Sequence, residues 1–378
     1  MLSGKPGRND FMEHSFKNFY QNKRVLVTGH TGFKGAWLSI WLNELGAKVF
    51  GYSLDPPSQP NIYESCGLQS RIEEVRADVQ DFDTLKEYIL EVKPDVVFHL
   101  AAQALVRYSY DVPRLTMRTN VLGTLNILEA VKESDSVKSL VIVTSDKCYE
   151  NHEQVWGYKE SDPLGGEDPY SASKAAAEIV FRSYLKSFFQ HKENLGAVSV
   201  RAGNVIGGGD WARDRIVPDA IRSLCNGELI QVRNPMAIRP WQHVLEPLSG
   251  YLWLAARAGD DPTGFSGAWN FGPNDNSAKC VRDLVEAIIG KWKSGGFEVM
   301  QQEGRKLHEA GWLRLTCDKA HVMLPWSAVL TFDENMKLTV DWYKKYHESP
   351  DQNLYHYTVH QIHQYTEVAR KRDQIWAS

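Results

Sequence analysis

A tyrosine and a lysine four residues apart, in YSASK (170–174), are the residues of this chain best suited to chemistry. At the start of a helix that spacing puts Tyr170 and Lys174 on one face, one turn apart. A nearby ammonium favours tyrosinate over the phenol, whose ordinary pKa is about 10. A phenolate so placed can take a proton from a substrate hydroxyl while hydride leaves the same carbon for a nicotinamide. Tyr–Lys pairs at this spacing also arise by chance in helices. This one follows a glycine-loop unit and a strand ending in Thr-Ser, which sets it apart from chance pairs.

That strand runs into TSDKCYEN (144–151). Ser145, at its C-terminal end, is placed to hydrogen-bond a reacting oxygen, because sites on parallel sheets lie at that edge. Asp146 and Lys147 follow directly. Away from such an edge, an adjacent Asp-Lys is a solvated ion pair in a loop; here it is a candidate acid and base.

Further toward the N-terminus, TGHTGFKG (28–35) sets Gly29, Gly32 and Gly35 three apart, after one apolar run and before a helical one. The first glycine permits a tight turn, the second close approach of backbone to a pyrophosphate, and the third close packing of helix on strand. The helix N-terminus then offers N–H groups and a positive dipole end to phosphates. A purely structural turn is the bland alternative. An acidic residue is expected at the end of the second strand, to grip the adenosine ribose. Ser53 stands there, with Asp55 two residues on and no arginine nearby in sequence, so NAD is expected rather than NADP. Asp78 is either an adenine-side carboxylate or a residue ahead of the next helix.

The elements that must position these residues alternate. Strands are predicted at 23–28, 47–53, 95–100 and 138–144, with helices at 33–45, 84–92, 114–132 and 170–189. This rhythm predicts an α/β protein with a Rossmann-like, doubly wound parallel sheet and a smaller C-terminal substrate-binding lobe. Residues 1–18 read as a loose leader and 19–200 as the nucleotide-binding domain, with returning elements near 240–265. Residues 201–378 read as mainly the substrate lobe.

Composition narrows the function. The 378 residues are 43% hydrophobic and 24% charged, with a net charge of −4 and no basic block. That argues against nucleic acid as partner, since phosphate binding needs clustered Lys and Arg. The five cysteines, Cys66, Cys148, Cys225, Cys280 and Cys317, are scattered without a CxxC pair, so neither a metal site nor a disulfide framework is expected. No apolar run approaches the ~18 residues a membrane span requires. A cytoplasmic protein is the expectation.

TGHTGFKG, HLAAQALVR (99–107), TSDKCYEN, YSASK, RAGNVIGGGDW (201–211) and IRPWQHVLEPLSGY (238–251) together resemble the extended short-chain dehydrogenase/reductases. Within them they are similar to the nucleotide-sugar 4,6-dehydratases of the CDP-glucose branch, over roughly residues 19 to 320; WNFGP (269–273) and LHEA (307–310) also fit. Most such dehydratases carry Asp-Glu where this chain has Asp146-Lys147, and the Lys is the mark of that branch.

The resemblance implies CDP-glucose as substrate, an internal cycle through NAD, and loss of water to give the 4-keto-6-deoxy sugar. It makes Tyr170 the base at the 4-hydroxyl, with Lys174 holding the ribose and tuning Tyr170, and Ser145 bonding the C4 oxygen. Asp146 becomes the acid at the 6-hydroxyl and Lys147 the base at C5, unless the two stay ionised and share one proton. NAD contacts are implied at Gly29, Thr31, Gly32, Phe33, Lys34, Gly35, Asp78, Val79, Leu100, Ala101, Ala102, Gln103, Tyr170 and Lys174. Substrate contacts are implied at Gln103, Arg107, Asn204, Arg215 and Arg239, where surface or interlobe charges are the alternative. Gly207–Gly209 reads as a mobile loop over the cleft.

The helices 114–132 and 170–189 would pack against a second copy in a homodimer or homotetramer, or else cover the sheet of a monomer. The setting suggested is dideoxy-sugar synthesis for lipopolysaccharide O-antigen. A nucleotide-sugar 4-epimerase, or a dehydratase for another nucleotide sugar, shares Ser145, Tyr170 and Lys174. A non-enzymatic NAD sensor is the reading from another class.

Overall fold

Apolar runs without polar alternation make strands that are buried on both faces of a parallel sheet. In the computed structural model, which describes residues 14–274, 278–300 and 312–378, five of them are β1 (Arg24–Thr28), β2 (Lys48–Ser53), β4 (Val96–His99), β5 (Ser139–Val143) and β6 (Gly196–Arg201), and β3 (Glu73–Arg76) joins them at one edge. A seventh main-sheet strand, Gly267–Asn270, lies beyond β6. The order is seventh–β6–β5–β4–β1–β2–β3, all parallel. Strand order reverses between β1 and β4, where Thr28 lies opposite His99; ligands of such sheets bind in the crevice at that reversal. The edge strand β3 reads EEVR, too polar to be picked out by an apolar-run reading.

Successive residues of β1 face opposite layers, so Val25 and Val27 join one buried cluster and Leu26 the other. One layer is built on helix α1 (Phe33–Glu44) and the helix Leu245–Asp260; the other on Phe82–Val92, Gly123–Glu133 and part of Pro169–Ser187. The helix predicted at 84–92 starts earlier because the Asp81 carboxylate accepts from Thr84 N at 3.2 Å. The helix predicted at 114–132 is interrupted. Pro113–Met117 and Gly123–Glu133 flank a wide π-type turn at Arg118–Leu122, a feature that often marks a functional position.

One expectation is corrected. Ser15–Asn18 is not loose leader: Phe16 is fully buried and stacks on Trp376 at 5.1 Å, beside Trp41 at 5.8 Å. Within residues 201–378, elements beyond those expected near 240–265 also return to the sheet side. The helix Tyr355–Lys371 packs against α1, with Tyr365 5.9 Å from Trp41, while Phe332–Glu348 lies between it and the lobe helix Val281–Trp292. A buried carboxylate fastens this return: Glu246 accepts from Val329 N at 2.9 Å, Leu330 N at 2.5 Å and Tyr365 Oη at 2.8 Å. Aromatic side chains bring much apolar area to a packed layer, and no strand–helix rhythm announces them. The lobe proper consists of short strand pairs, 205–206 with 242–243, 238–240 with 278–280, and 230–232 with 297–299, plus the helices Ile216–Cys225 and Val281–Trp292.

Candidate active site

β5 ends at Val143, and Ser145 caps a single 3-10 turn, Asp146–Cys148. Its hydroxyl accepts from Lys147 N at 3.3 Å and donates to Asp146 Oδ1 at 2.9 Å. Asp146 is buried and Lys147 half-buried. The two charged side chains are not within ion-pair distance of each other, so their adjacency in sequence is not a direct contact. Gly203 packs against the acid. A methyl group added there would come within 1.8 Å of Asp146 Oδ2, so only glycine leaves the carboxyl room. Beside Asp146 opens a small cleft lined by Gly203, Gln242, Asn274 and Arg314.

Tyr170 and Lys174 enter from the helix Pro169–Ser187. Proline at its first position and Asp168, accepting from Ser171 N at 2.9 Å, fix where this helix begins. Both side chains are buried. Burial pushes the Tyr170 phenol up to about 12; hydrogen bonding with Ser145 and the Arg215 charge oppose that rise. Burial also pulls Lys174 down to about 8, with Glu178 opposing, and its ammonium donates to Val143 O at 3.3 Å. Ser145 and Arg215 thus act on the phenol in the direction expected of Lys174. Asn120, in the π-type turn, secures the helix by donating to Ser173 Oγ at 2.8 Å and to Gln103 O at 3.0 Å.

The glycine loop fits an anionic cofactor. Gly29 has φ +75°, and a side chain there would strike Ala101; at Gly35 it would strike the Gly29 carbonyl. Gly32 caps α1 with no side-chain partner, leaving first-turn N–H groups for an anion. Thr28 Oγ1 meets His99 Nδ1 at 2.8 Å and accepts from Ala101 N at 3.2 Å, fixing the start of the 100–103 segment over the crevice. Ser53 Oγ and Thr31 Oγ1 meet at 2.8 Å, so the serine ties β2 to the loop in place of a carboxylate. An arginine does stand there, contrary to the sequence reading. Arg76 lies opposite Ser53 across the β2–β3 ladder, with Glu74 at 3.0 Å and Asp55 at 3.6 Å to balance it. Asp78 accepts from Gln80 N at 2.9 Å and Gln80 Nε2 at 3.0 Å. Phe33 meets the glycine run at Gly207, and Trp37 Nε1 donates to Gly208 O at 2.9 Å, so 207–209 is packed on α1.

Of the other candidates, Arg215 is brought to the cluster, paired with the buried Asp210 at 2.8 Å. Lys34 joins it; burial pulls its ammonium down to about 8, with Arg215 and Lys174 pressing the same way and Asp146 opposing. Asn204 takes a left-handed φ of 51° next to Gly203. Gln103 is engaged inside its own turn, giving Nε2 to Thr116 Oγ1 at 2.9 Å and accepting from Leu105 N at 2.6 Å. Arg107 sits in the short helix Val106–Asp111, and Arg239 in the strand Ile238–Pro240. LHEA (307–310) lies outside the described residues. Sequence reasoning missed Asp210, Gln242, Asn274, Arg314, Asn120 and Gly203. Gln242 and Gly203 sat within motifs already noted, but only the fold brings them to Asp146.

A glycine loop at the strand-order reversal, with Ser, Tyr and Lys converging from β5 and the following helix, defines an extended short-chain dehydrogenase/reductase. A family described as GDP-mannose 4,6 dehydratase matches residues 26–339, and the chain belongs to that family. It is 48% identical to the CDP-glucose 4,6-dehydratase of Salmonella typhimurium, over 89% of this chain and 94% of that one. With the dTDP-glucose 4,6-dehydratase of Xanthomonas campestris strain B100 it shares 26% over 84% and 92%. Among solved structures, dTDP-glucose 4,6-dehydratase from Bacillus anthracis, in complex with NAD, superposes with a TM-score of 0.72. It shares 22% identity over 89% of this chain and 99% of that one, a likeness of fold.

Proposed function

We propose that the protein is an NAD-dependent hydro-lyase that converts CDP-glucose to CDP-4-keto-6-deoxyglucose and water. The observation that carries the dehydratase reading is Asp146, a buried carboxyl on the turn that also bears Ser145, close enough to act electrostatically on Tyr170. The 48% identity to the Salmonella protein supports CDP-glucose as the substrate.

NAD, which the Gly29–Gly35 loop would hold, would supply a hydride acceptor for C4 and a hydride donor for C6. Tyr170 takes the proton of the 4-hydroxyl, and Ser145 hydrogen-bonds that oxygen. Lys174 holds the ribose of the cofactor. The resulting ketone acidifies C5; Lys147 removes that proton while Asp146 protonates the departing 6-hydroxyl, and Lys147 later returns a proton to C5. Arg215 and Arg239 suit the substrate diphosphate, and Asn204 lies beside the acid. Arg76 is already matched by Glu74 and Asp55, which favours NAD over a 2′-phosphorylated cofactor.

The active unit is a homodimer. Tyr108, Leu115, Met117 and Leu122 are exposed on the 106–122 segment and Ile179 on the adjoining catalytic helix, an apolar strip suited to a second copy. Sedimentation should show a dimer that Leu122→Glu with Ile179→Glu dissociates. Five cysteines outside any disulfide, and no described helix long and apolar enough to cross a membrane, support a cytoplasmic enzyme.

Incubation with NAD and, separately, CDP-, dTDP-, GDP- and UDP-glucose tests the reading. Alkali-induced ultraviolet absorbance of a 4-keto sugar is expected with CDP-glucose, and CDP-galactose without ketone would overturn the dehydratase assignment.

A further inference from the structure

The turn bearing Ser145, Asp146 and Lys147 is tethered on both sides to one buried ion pair. Glu178 lies on the catalytic helix one turn beyond Lys174 and two beyond Tyr170, and Arg201 ends β6. Their side chains meet at 2.7 Å and are 2% and 3% exposed. Directly before the turn, Thr144 Oγ1 donates to Glu178 Oε1 at 2.5 Å. Directly after it, Tyr149 Oη accepts from Arg201 Nη1 at 2.7 Å and donates to Asn270 Oδ1 at 2.8 Å. Ser199 Oγ gives Glu178 Oε2 a further bond at 2.8 Å.

Taking two charges out of water commonly costs more than their attraction returns, and apolar residues of similar size often serve stability as well or better. This pair has geometric consequences instead. It joins three pieces of backbone: the helix with the redox side chains, the turn with the acid and base, and the strand that leads to Gly203. We propose that Glu178 and Arg201 are positioning residues that hold the Asp146–Lys147 turn in register with Tyr170 and Lys174, so that oxidation at C4 and elimination across C5–C6 act on one sugar pose. The proposal rests on the dehydratase reading above.

The pair also acts on Lys174, whose charged form Glu178 supports against burial. The other titratable groups acting on that ammonium are Cys148 from the turn, His99 from β4 and Lys34 from α1. None of these supplies a second carboxylate, so removing the Glu178 charge lowers the pH at which Lys174 gives up its proton.

The test uses full-length enzyme with NAD and CDP-glucose, in four forms: Glu178→Gln, Arg201→Lys, the double variant Glu178→Met/Arg201→Met, and Thr144→Val. Thermal midpoint, ketone formation, deuterium uptake at C5 from heavy water, and reduced nicotinamide retained on the enzyme are measured together. The double variant and Thr144→Val should keep a near wild-type midpoint yet lose kcat by ~100-fold, the cost of about 1 Å of misplacement. Reduced nicotinamide should persist and C5 exchange should slow, because oxidation continues while elimination stalls. Arg201→Lys should restore part of kcat, and Glu178→Gln should move the alkaline limb of the pH profile to lower pH.

A double variant that recovers both midpoint and kcat, with the wild-type pH profile, overturns the proposal, as does Thr144→Val with unchanged partitioning. Should the double variant fail to fold, Thr144→Val decides alone. Wild-type enzyme is assayed first. If it makes no ketone, the functional reading falls and takes this inference with it, whereas indifferent variants of an active enzyme sink only the pair.

Discussion

The helix Pro169–Ser187 and the turn Asp146–Cys148 both carry candidate catalytic side chains, but they are held differently. On the helix, Tyr170 and Lys174 are aligned by the backbone's own period, and Asp168 with Pro169 fixes where that period starts. The turn has a single capping hydroxyl of its own and borrows the rest of its geometry. Gly203 leaves room for the Asp146 carboxyl, and Thr144 and Tyr149 tie its flanks to Glu178 and Arg201.

Substitutions can break or sharpen this contrast. The largest effect belongs to Tyr170→Phe, which should lower kcat by about 1,000-fold, within the range for loss of a general base. Calorimetry should show CDP-glucose binding unchanged; if turnover also stays, Tyr170 is not the base. Next comes Gly203→Ala, which removes no reacting group yet forces Asp146 aside. Ketone formation should drop roughly 100-fold, while single-turnover reduction of NAD stays near wild type. Loss of both steps together would mean that the helix depends on this contact as much as the turn does.

Away from the chemistry, burial raises the Glu246 carboxyl to about 7. A carboxyl with a raised folded pKa stabilises the protein fully below its unfolded value of 4.5, and that contribution fades as pH rises through about 7. Thermal melts should therefore weaken between those values by up to about 3 kcal/mol. Glu246→Gln should flatten the trend, and an unchanged slope would assign it to other groups. The smallest effect is expected at Arg76, whose charge Glu74 and Asp55 already balance at a partly exposed site. Arg76→Ala should change the Kd for NAD by less than about threefold; a larger loss would make it a cofactor contact.

Local signals carried much of the design. The glycine spacing, the Tyr170–Lys174 period and the apolar runs of β1, β2, β4 and β5 lie within short stretches of chain, so the parallel sheet, the glycine loop and the placing of Tyr170 and Lys174 on one buried helix were legible in the residues. Ser53 shows where that legibility stopped. The absent carboxylate was plain, but not that Thr31 would pair with the serine or that Arg76 would arrive from an edge strand too polar to be noticed.

What the sequence by itself determined, then, is which side chains could react and in what order the sheet carries them, because period, capping and glycine conformation act between near neighbours in the chain. Tertiary structure alone decided how the reactive groups are tuned and held. It set Arg215 and Ser145 beside the Tyr170 phenol; it docked Phe16 and the helix Tyr355–Lys371 against α1; and it joined Glu178 to Arg201. Each of these depends on groups far apart in sequence meeting where water is excluded, and burial is a property of the packed molecule that no local pattern encodes.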